Sequence, residues 1–118
     1  MTIGIVGLGL IGGSFAKAYS DNDEHKVLAY NRSKEVIQAA YNDKAIDGEL
    51  NEGNIKDCDL ILLCLYPQLC IDYLTKMAPY IQKDTMVIDC CGTKELICKS
   101  CYPIARQYGF TFIGGHPM

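Results

Sequence analysis

A chain of 118 residues has room for one sizeable hydrophobic core and not for two. Its 11 basic and 14 acidic residues leave a formal net charge of −3, and the basic ones are scattered singly or in pairs, so nucleic acid is not an expected partner. A composition of 49% hydrophobic and 21% charged residues is ordinary for a soluble globular protein.

Ile3 to Ala16 carries no charge, yet it is not a signal peptide. No positive segment precedes it, and glycines at 4, 7, 9, 12 and 13 interrupt it. The apolar run Leu60–Tyr66 is far shorter than the roughly 20 residues that cross a bilayer. No membrane partner and a cytoplasmic location are expected. Seven cysteines are many for this length, but an odd number cannot pair fully, and a strand-and-helix pattern is foreign to disulfide scaffolds. Reduced thiols are expected, with Cys64 and Cys90 behaving as small hydrophobes in or beside strands.

In chain order, Thr2–Val6 reads as a buried strand ending at glycine, and Leu10–Ser20 as a helix carrying Ile11, Phe15, Ala18 and Tyr19 at helical spacing. Val27–Tyr30 is a second strand. Ser33 is a candidate N-cap for a helix whose Val36, Ile37, Ala40 and Tyr41 share a face. Ala45–Ile46 is predicted as a short edge strand before the polar stretch Asp47–Asp57. Leu60–Leu65, apolar on both faces, suits a central parallel strand between two helix layers. A helix over Gln68–Met77 and a strand over Met86–Asp89 follow. Lys94–Tyr108 is helical in pattern, although Pro103 should kink or interrupt it. Phe110–Ile113 is the last strand. This alternation predicts an α/β fold, a doubly wound parallel sheet of the Rossmann type in one domain over residues 1–118, with right-handed crossovers.

Gly7-Leu8-Gly9-Leu10-Ile11-Gly12 fits G-x-G-x-x-G, directly after the first strand and at the start of the first helix. In that context Gly7 permits the tight turn, Gly9 lets a pyrophosphate reach the backbone, and Gly12 allows close helix–strand packing. Leu8, Leu10 and Ile11 belong to the same loop, whose free N–H groups and helix dipole suit phosphates. The structural alternative is glycines that merely allow a turn. FAD fits less well than a nicotinamide cofactor, since FAD enzymes usually need more protein than this. After the second strand comes Asn31-Arg32-Ser33-Lys34, with no carboxylate before Glu35. Arg32 and Ser33 can hold a 2′-phosphate, which favours NADP. If Arg32 is only a solvated loop residue and Asn31 serves a ribose, NAD is the second choice.

The longer run Gly7 to Ser14 resembles the opening of the prephenate and arogenate dehydrogenase family. Three later segments agree in order and spacing: Asp59 to Pro67, Val87-Ile88-Asp89 through Lys94, and Gly114-Gly115-His116-Pro117-Met118. Related β-hydroxyacid dehydrogenases share the loop but not the terminal G-G-H-P. The resemblance implies oxidative decarboxylation of prephenate or arogenate in tyrosine biosynthesis, without a metal. It places Leu65, Tyr66 and Pro67 with the cofactor-binding residues and gives His116 the hydrogen bond from the substrate's ring hydroxyl. A neutral imidazole, with a pKa near ~6.5, suits that task. Outside the resemblance, His116 reads as a turn histidine before Pro117. Where family members often carry a serine near the nicotinamide, this chain has Gly92, so Thr93 is the candidate hydroxyl. Lys94 reads as a helix-start residue. The family continues with a helical domain that supplies a substrate-binding arginine and most of a homodimer interface. The chain to Met118 is therefore expected to bind cofactor without efficient turnover on its own. Another NADP-dependent reductase of the β-hydroxyacid dehydrogenase type, or a cofactor-binding regulatory module, remains an alternative.

Cys98-x-x-Cys101 has redox or metal spacing but reads as two thiols on one helix, with no further ligands nearby. His25 is expected to be solvated. Asp43, Asp47, Glu49, Glu52, Asp57 and Asp59 show no calcium-loop order and are expected on a solvated surface.

Overall fold

The computed structural model describes the chain except residues 22–23, 91–93 and 115–118, and gives the backbone alone at 10–12 and 94–98. Six parallel strands, β1 (Thr2–Val6), β2 (Lys26–Tyr30), β3 (Gly48–Glu49), β4 (Leu60–Leu63), β5 (Met86–Asp89) and β6 (Thr111–Gly114), form one sheet in the order β3-β2-β1-β4-β5-β6. Four helices alternate with them: α1 (Leu10–Ser20), α2 (Lys34–Asn42), α3 (Pro67–Met77) and α4 (Lys94–Tyr108).

The period of two along each strand divides the core. Ile3, Ile5, Val27, Ala29 and Leu62 face α1 and α2, where Ala16 and Ile37 are buried. Val6, Leu28, Ile61, Leu63, Val87 and Phe112 face α3 and α4, meeting Cys70, Leu74, Cys101 and Ala105. Helices thus cover both faces, and the strand order reverses direction between β1 and β4, as expected of a doubly wound sheet.

Local chemistry starts and stops the helices. The Ser33 hydroxyl accepts a hydrogen bond from the Val36 N–H at the head of α2. Pro67 opens α3, where its preset φ fits and its missing N–H costs nothing. Gly109, at φ +83°, ends α4 with its N–H on the Ala105 carbonyl at 2.7 Å.

Several expectations are corrected. The edge strand is Gly48–Glu49, not Ala45–Ile46. Ala45 and Ile46 are buried between α2 and the sheet, so their apolar character serves packing rather than strand pairing. β4 ends at Leu63, two residues early, because the chain leaves the ladder to enter α3. α4 runs as one helix through Pro103, which lies on its exposed side and whose missing N–H deprives the Lys99 carbonyl of its helical donor. His25 is half-buried rather than solvated: its ring meets Tyr19 edge-on at 5.6 Å. Asp47 and Asp59 are exposed as expected, yet each anchors the start of a strand. Asp59 accepts from the Thr2 N–H at 2.8 Å and Asp47 from the Val27 N–H at 2.7 Å. No described helix is long and apolar enough to cross a membrane.

Thr85 is buried at the entrance to β5, and its hydroxyl donates to the Cys58 carbonyl at 2.7 Å, tying the turns before β4 and β5 together. Thr85→Val keeps the shape and leaves that carbonyl without its donor. Urea denaturation of this variant is expected to show a loss of about 1–3 kcal/mol with an unchanged m-value.

Candidate functional site

β1 ends in a turn that only glycine makes well. Gly7 has φ +99°, and its N–H donates to the Tyr30 carbonyl at 2.7 Å. A Cβ at this position would lie 2.7 Å from Leu65 Cδ2 and 2.8 Å from the Cys64 carbonyl oxygen. The chain therefore passes directly over the exit of β4. The next N–H, of Leu8, donates to Asn31 Oδ1 at 3.0 Å. Asn31 thus clamps the loop to the end of β2, and its Nδ2 reaches the Ser33 carbonyl at 3.5 Å. This positioning role was not anticipated, since nothing in the local sequence shows which backbone an asparagine will reach.

Gly9 is the N-cap of α1, with no side-chain cap, and the first helical bond shown runs from the Gly13 N–H to its carbonyl at 2.8 Å. A Cβ on Gly9 would meet nothing within 4 Å. Open space thus lies against a helix end whose N–H groups and positive dipole are uncapped by side chains. The side chains of Leu10 and Ile11, and the packing at Gly12, lie outside the described residues.

Beside this loop a cleft of about 640 Å³ opens between β2, β3 and α3. Tyr30, Arg32, Leu65, Leu69, Tyr73 and Lys76 are among its walls. The rings of Tyr30 and Tyr73 are 5.0 Å apart, and the buried Tyr73 hydroxyl has no hydrogen-bond partner among the described residues. Burial first, then the nearby Cys58 and Tyr30, holds that phenol above its ordinary range. The loop after β3 makes a firm rim: Asn51 Oδ1 accepts from the Gly53 and Asn54 N–H groups, and Asn54 Nδ2 donates to the Glu49 carbonyl at 2.9 Å.

Arg32 is exposed and lines this cleft, and Ser33, next to it in the chain, is also exposed. The expected freedom from carboxylates is only partly met, because the edge strand brings Glu49 into an ion pair with Lys34, both lining the cleft. Tyr66 is 82% exposed and is the N-cap of α3, with Pro67 following. The fold therefore gathers Gly7, Leu8, Gly9, Asn31, Arg32, Ser33 and Leu65 at the carboxyl end of the sheet, with Tyr66 and Pro67 at its rim. Thr93 and His116 lie outside the described residues. Sequence reasoning missed Glu49, Leu69, Tyr73 and Lys76, which come from an edge strand and a helix with no motif of their own. Among the described residues no group of His, Cys, Asp and Glu is placed to hold a metal ion.

The strand order, the glycine turn and the uncapped helix end define a Rossmann-type domain with its crevice at the β1/β4 switch point. Residues 15–118 match the prephenate dehydrogenase nucleotide-binding domain, and the chain belongs to that family. Among solved structures, it is similar to the arogenate dehydrogenase of Synechocystis at 30% identity and a TM-score of 0.83, covering 98% of this chain and 40% of that one. It is also similar to the prephenate dehydrogenase of A. aeolicus in complex with hydroxyphenyl propionate and NAD+, at 28% identity and a TM-score of 0.83, covering 100% of this chain and 42% of that one. An imine reductase of Streptomyces aurantiacus, at 18% identity and a TM-score of 0.79, covers 97% of this chain and 40% of its own length, and shares the fold alone. The chain thus spans about two-fifths of the length of these proteins. Comparison with curated proteins yields no match.

The two loop glycines should respond differently to the same substitution. Gly7→Ala combines an unfavourable positive φ with a backbone clash and is expected to lose more than about 2 kcal/mol. Gly9→Ala enters open space and should stay within about 1 kcal/mol of the parent. Paired thermal and urea melts check both.

Proposed function

We propose that this chain is the cofactor-binding half of a cytoplasmic, homodimeric prephenate or arogenate dehydrogenase that uses NADP in preference to NAD. The observation that carries the reading is the cradle at Gly9, open space against an uncapped helix N-terminus, held in place by the Gly7 turn and the Asn31 clamp. A dinucleotide fits these residues: its pyrophosphate against Gly7 to Gly12, its adenosine half in the cleft beside Leu65, Leu69 and Tyr73. The Tyr73 ring supplies part of that wall.

Arg32, with Ser33 at the head of α2, suits a 2′-phosphate. The Ser33 oxygen already accepts from Val36, so its own O–H remains to donate. The Glu49 carboxylate, which would repel such a phosphate, is neutralised by Lys34. Leu65, Tyr66 and Pro67 form the rim beyond the loop. Asn31 Oδ1 is committed to Leu8, which leaves it poorly suited to the ribose role that NAD would require.

When bound, the nicotinamide serves as hydride acceptor for the oxidative decarboxylation. His116 takes the hydrogen bond of the substrate's ring hydroxyl on its neutral imidazole and accepts that proton as the carbonyl forms. Thr93 supplies the hydroxyl that a serine gives in other members of the family. The binding of the substrate carboxylates falls to the part of the protein that this chain does not span.

Cofactor titrations test the first half. NADP should bind several-fold more tightly than NAD, with the gap narrowing as salt rises, and Gly9→Val should abolish binding of both in a folded protein. Tighter NAD binding would overturn the role given to Arg32 and Ser33. Unchanged affinity in Gly9→Val would overturn the loop assignment.

His116 is tested in the protein of the family's full length. Removal of a base that acts mainly in the transition state lowers turnover and leaves cofactor affinity nearly unchanged. His116→Asn should therefore turn over about 10²–10⁴-fold more slowly. The parent should lose activity toward acid as the imidazole protonates, and the variant should lack that limb. Near-normal turnover with the acid limb intact would make His116 structural.

A further inference from the structure

We propose that Cys64 and Cys90, side by side at the carboxyl ends of β4 and β5, form an oxidisable dithiol site that closes reversibly to a disulfide. Register places them together. Leu63 pairs with Asp89 at the end of the β4–β5 ladder, and the Cys90 N–H donates to the Leu63 carbonyl at 2.9 Å, so Cys64 and Cys90 are the next residues out on neighbouring chains. Parallel neighbours in register stand about 5 Å apart, within the roughly 4.4–6.8 Å that a disulfide spans between Cα atoms. Both side chains also point to the same face. Cys90 belongs to the core under α1 and α2, and Cys64 packs against that core, following the alternation that puts Leu62 and Ile88 there.

The other described cysteines lack this arrangement. Cys58, Cys70 and Cys101 are buried in the core on the opposite face of the sheet. Burial, reinforced by Asp57 and Asp59, pushes the Cys58 thiol up to about 12. Cys70 donates its S–H to the Leu65 carbonyl at 3.3 Å. The sulfurs of Cys64 and Cys90, by contrast, share a hydrogen bond. That hydrogen bond, together with burial, raises the Cys64 thiol, and it lowers that of Cys90 against the opposing effects of burial and Asp89. Either thiol can take the first oxidation step, and its neighbour is placed to resolve it. Cys64 is only half-buried, so a small oxidant reaches the pair from its side.

With hydrogen peroxide as oxidant the chemistry balances. One of the two sulfurs attacks one peroxide oxygen, the O–O bond breaks, and hydroxide leaves to become water with the thiol's proton, giving a sulfenic acid. The other sulfur then attacks the oxidised one, expelling the sulfenic oxygen as a second water and forming the S–S bond. Two thiols lose two electrons and two protons, and the peroxide is reduced to two waters. A dithiol reductant reverses the change.

The test treats the folded chain with dilute hydrogen peroxide, blocks remaining thiols with an alkylating agent, and maps the peptides by mass spectrometry. A cross-linked peptide pair carrying Cys64 and Cys90, lost again on treatment with dithiothreitol, is the expected result. In Cys64→Ser and in Cys90→Ser the cross-link should be absent, and the remaining cysteine of the pair should be trapped by dimedone as the sulfenic acid. Two outcomes overturn the proposal: both residues alkylated as free thiols after peroxide, or Cys90 linked to Cys91 or Cys98 instead. The map of the unmodified chain decides this without either variant and without any assumption about cofactor.

Discussion

At the end of β1 the backbone turns through a left-handed conformation at Gly7, with its N–H on the Tyr30 carbonyl and its Cα against Leu65 and the Cys64 carbonyl. Three strands meet at this point, because β1 is hydrogen-bonded to β2 on one side and β4 on the other. A side chain here would push β4 away from β1 and lift the loop that follows. The position of α1, the opening at Gly9 and the distance from the loop to the cleft all depend on the missing Cβ.

The crevice gains its chemistry from what the two halves of the sheet leave exposed there. On the β2 side, Asn31 spends its carbonyl oxygen on the Leu8 N–H, which holds the loop in one conformation before any ligand arrives. Preorganisation of this kind lowers the entropic cost of binding. On the same side the Lys34–Glu49 pair cancels its own charge and leaves Arg32 and Lys76 as the cations lining the cleft without a described salt bridge. That exposed pair adds little to stability, but it shapes the field at the mouth of the cleft. On the β4–β5 side the sheet ends in the thiols of Cys64 and Cys90, next to the buried Asp89. One set of strand ends therefore combines an electrostatic site and a redox-sensitive one, separated by the glycine turn.

Much of the architecture was legible in the chain. The uninterrupted apolar run Leu60–Leu63 could be satisfied only between two helix layers, and Ser33 before an amphipathic segment could start only a helix. The glycine spacing, placed after a β-branched strand, located the crevice. The edge was misread for a physical reason: Ala45 and Ile46 are apolar because they fill space under α2, while Gly48 and Glu49, which do pair, carry almost no strand signal. A two-residue strand is held by its neighbour's hydrogen bonds, not by its own propensity. Likewise the solvated reading of Asp47 and Asp59 was right about exposure but blind to the strand N–H groups that they accept from.

Periodicity, capping residues and glycine placement, all short-range properties, determined by sequence alone that this is a doubly wound α/β domain with a phosphate-suited turn. Tertiary structure decided the rest of the site. Only the folded sheet shows that Asn31 reaches Leu8, that Tyr73 and Lys76 of α3 face Arg32 across a cleft, and that Glu49 sits beside Lys34. Only the register of β4 against β5 brings Cys64 beside Cys90, 26 positions apart in the chain. Each of these contacts joins residues distant in sequence, and local propensity carries no record of which distant partner the closing of the sheet will bring.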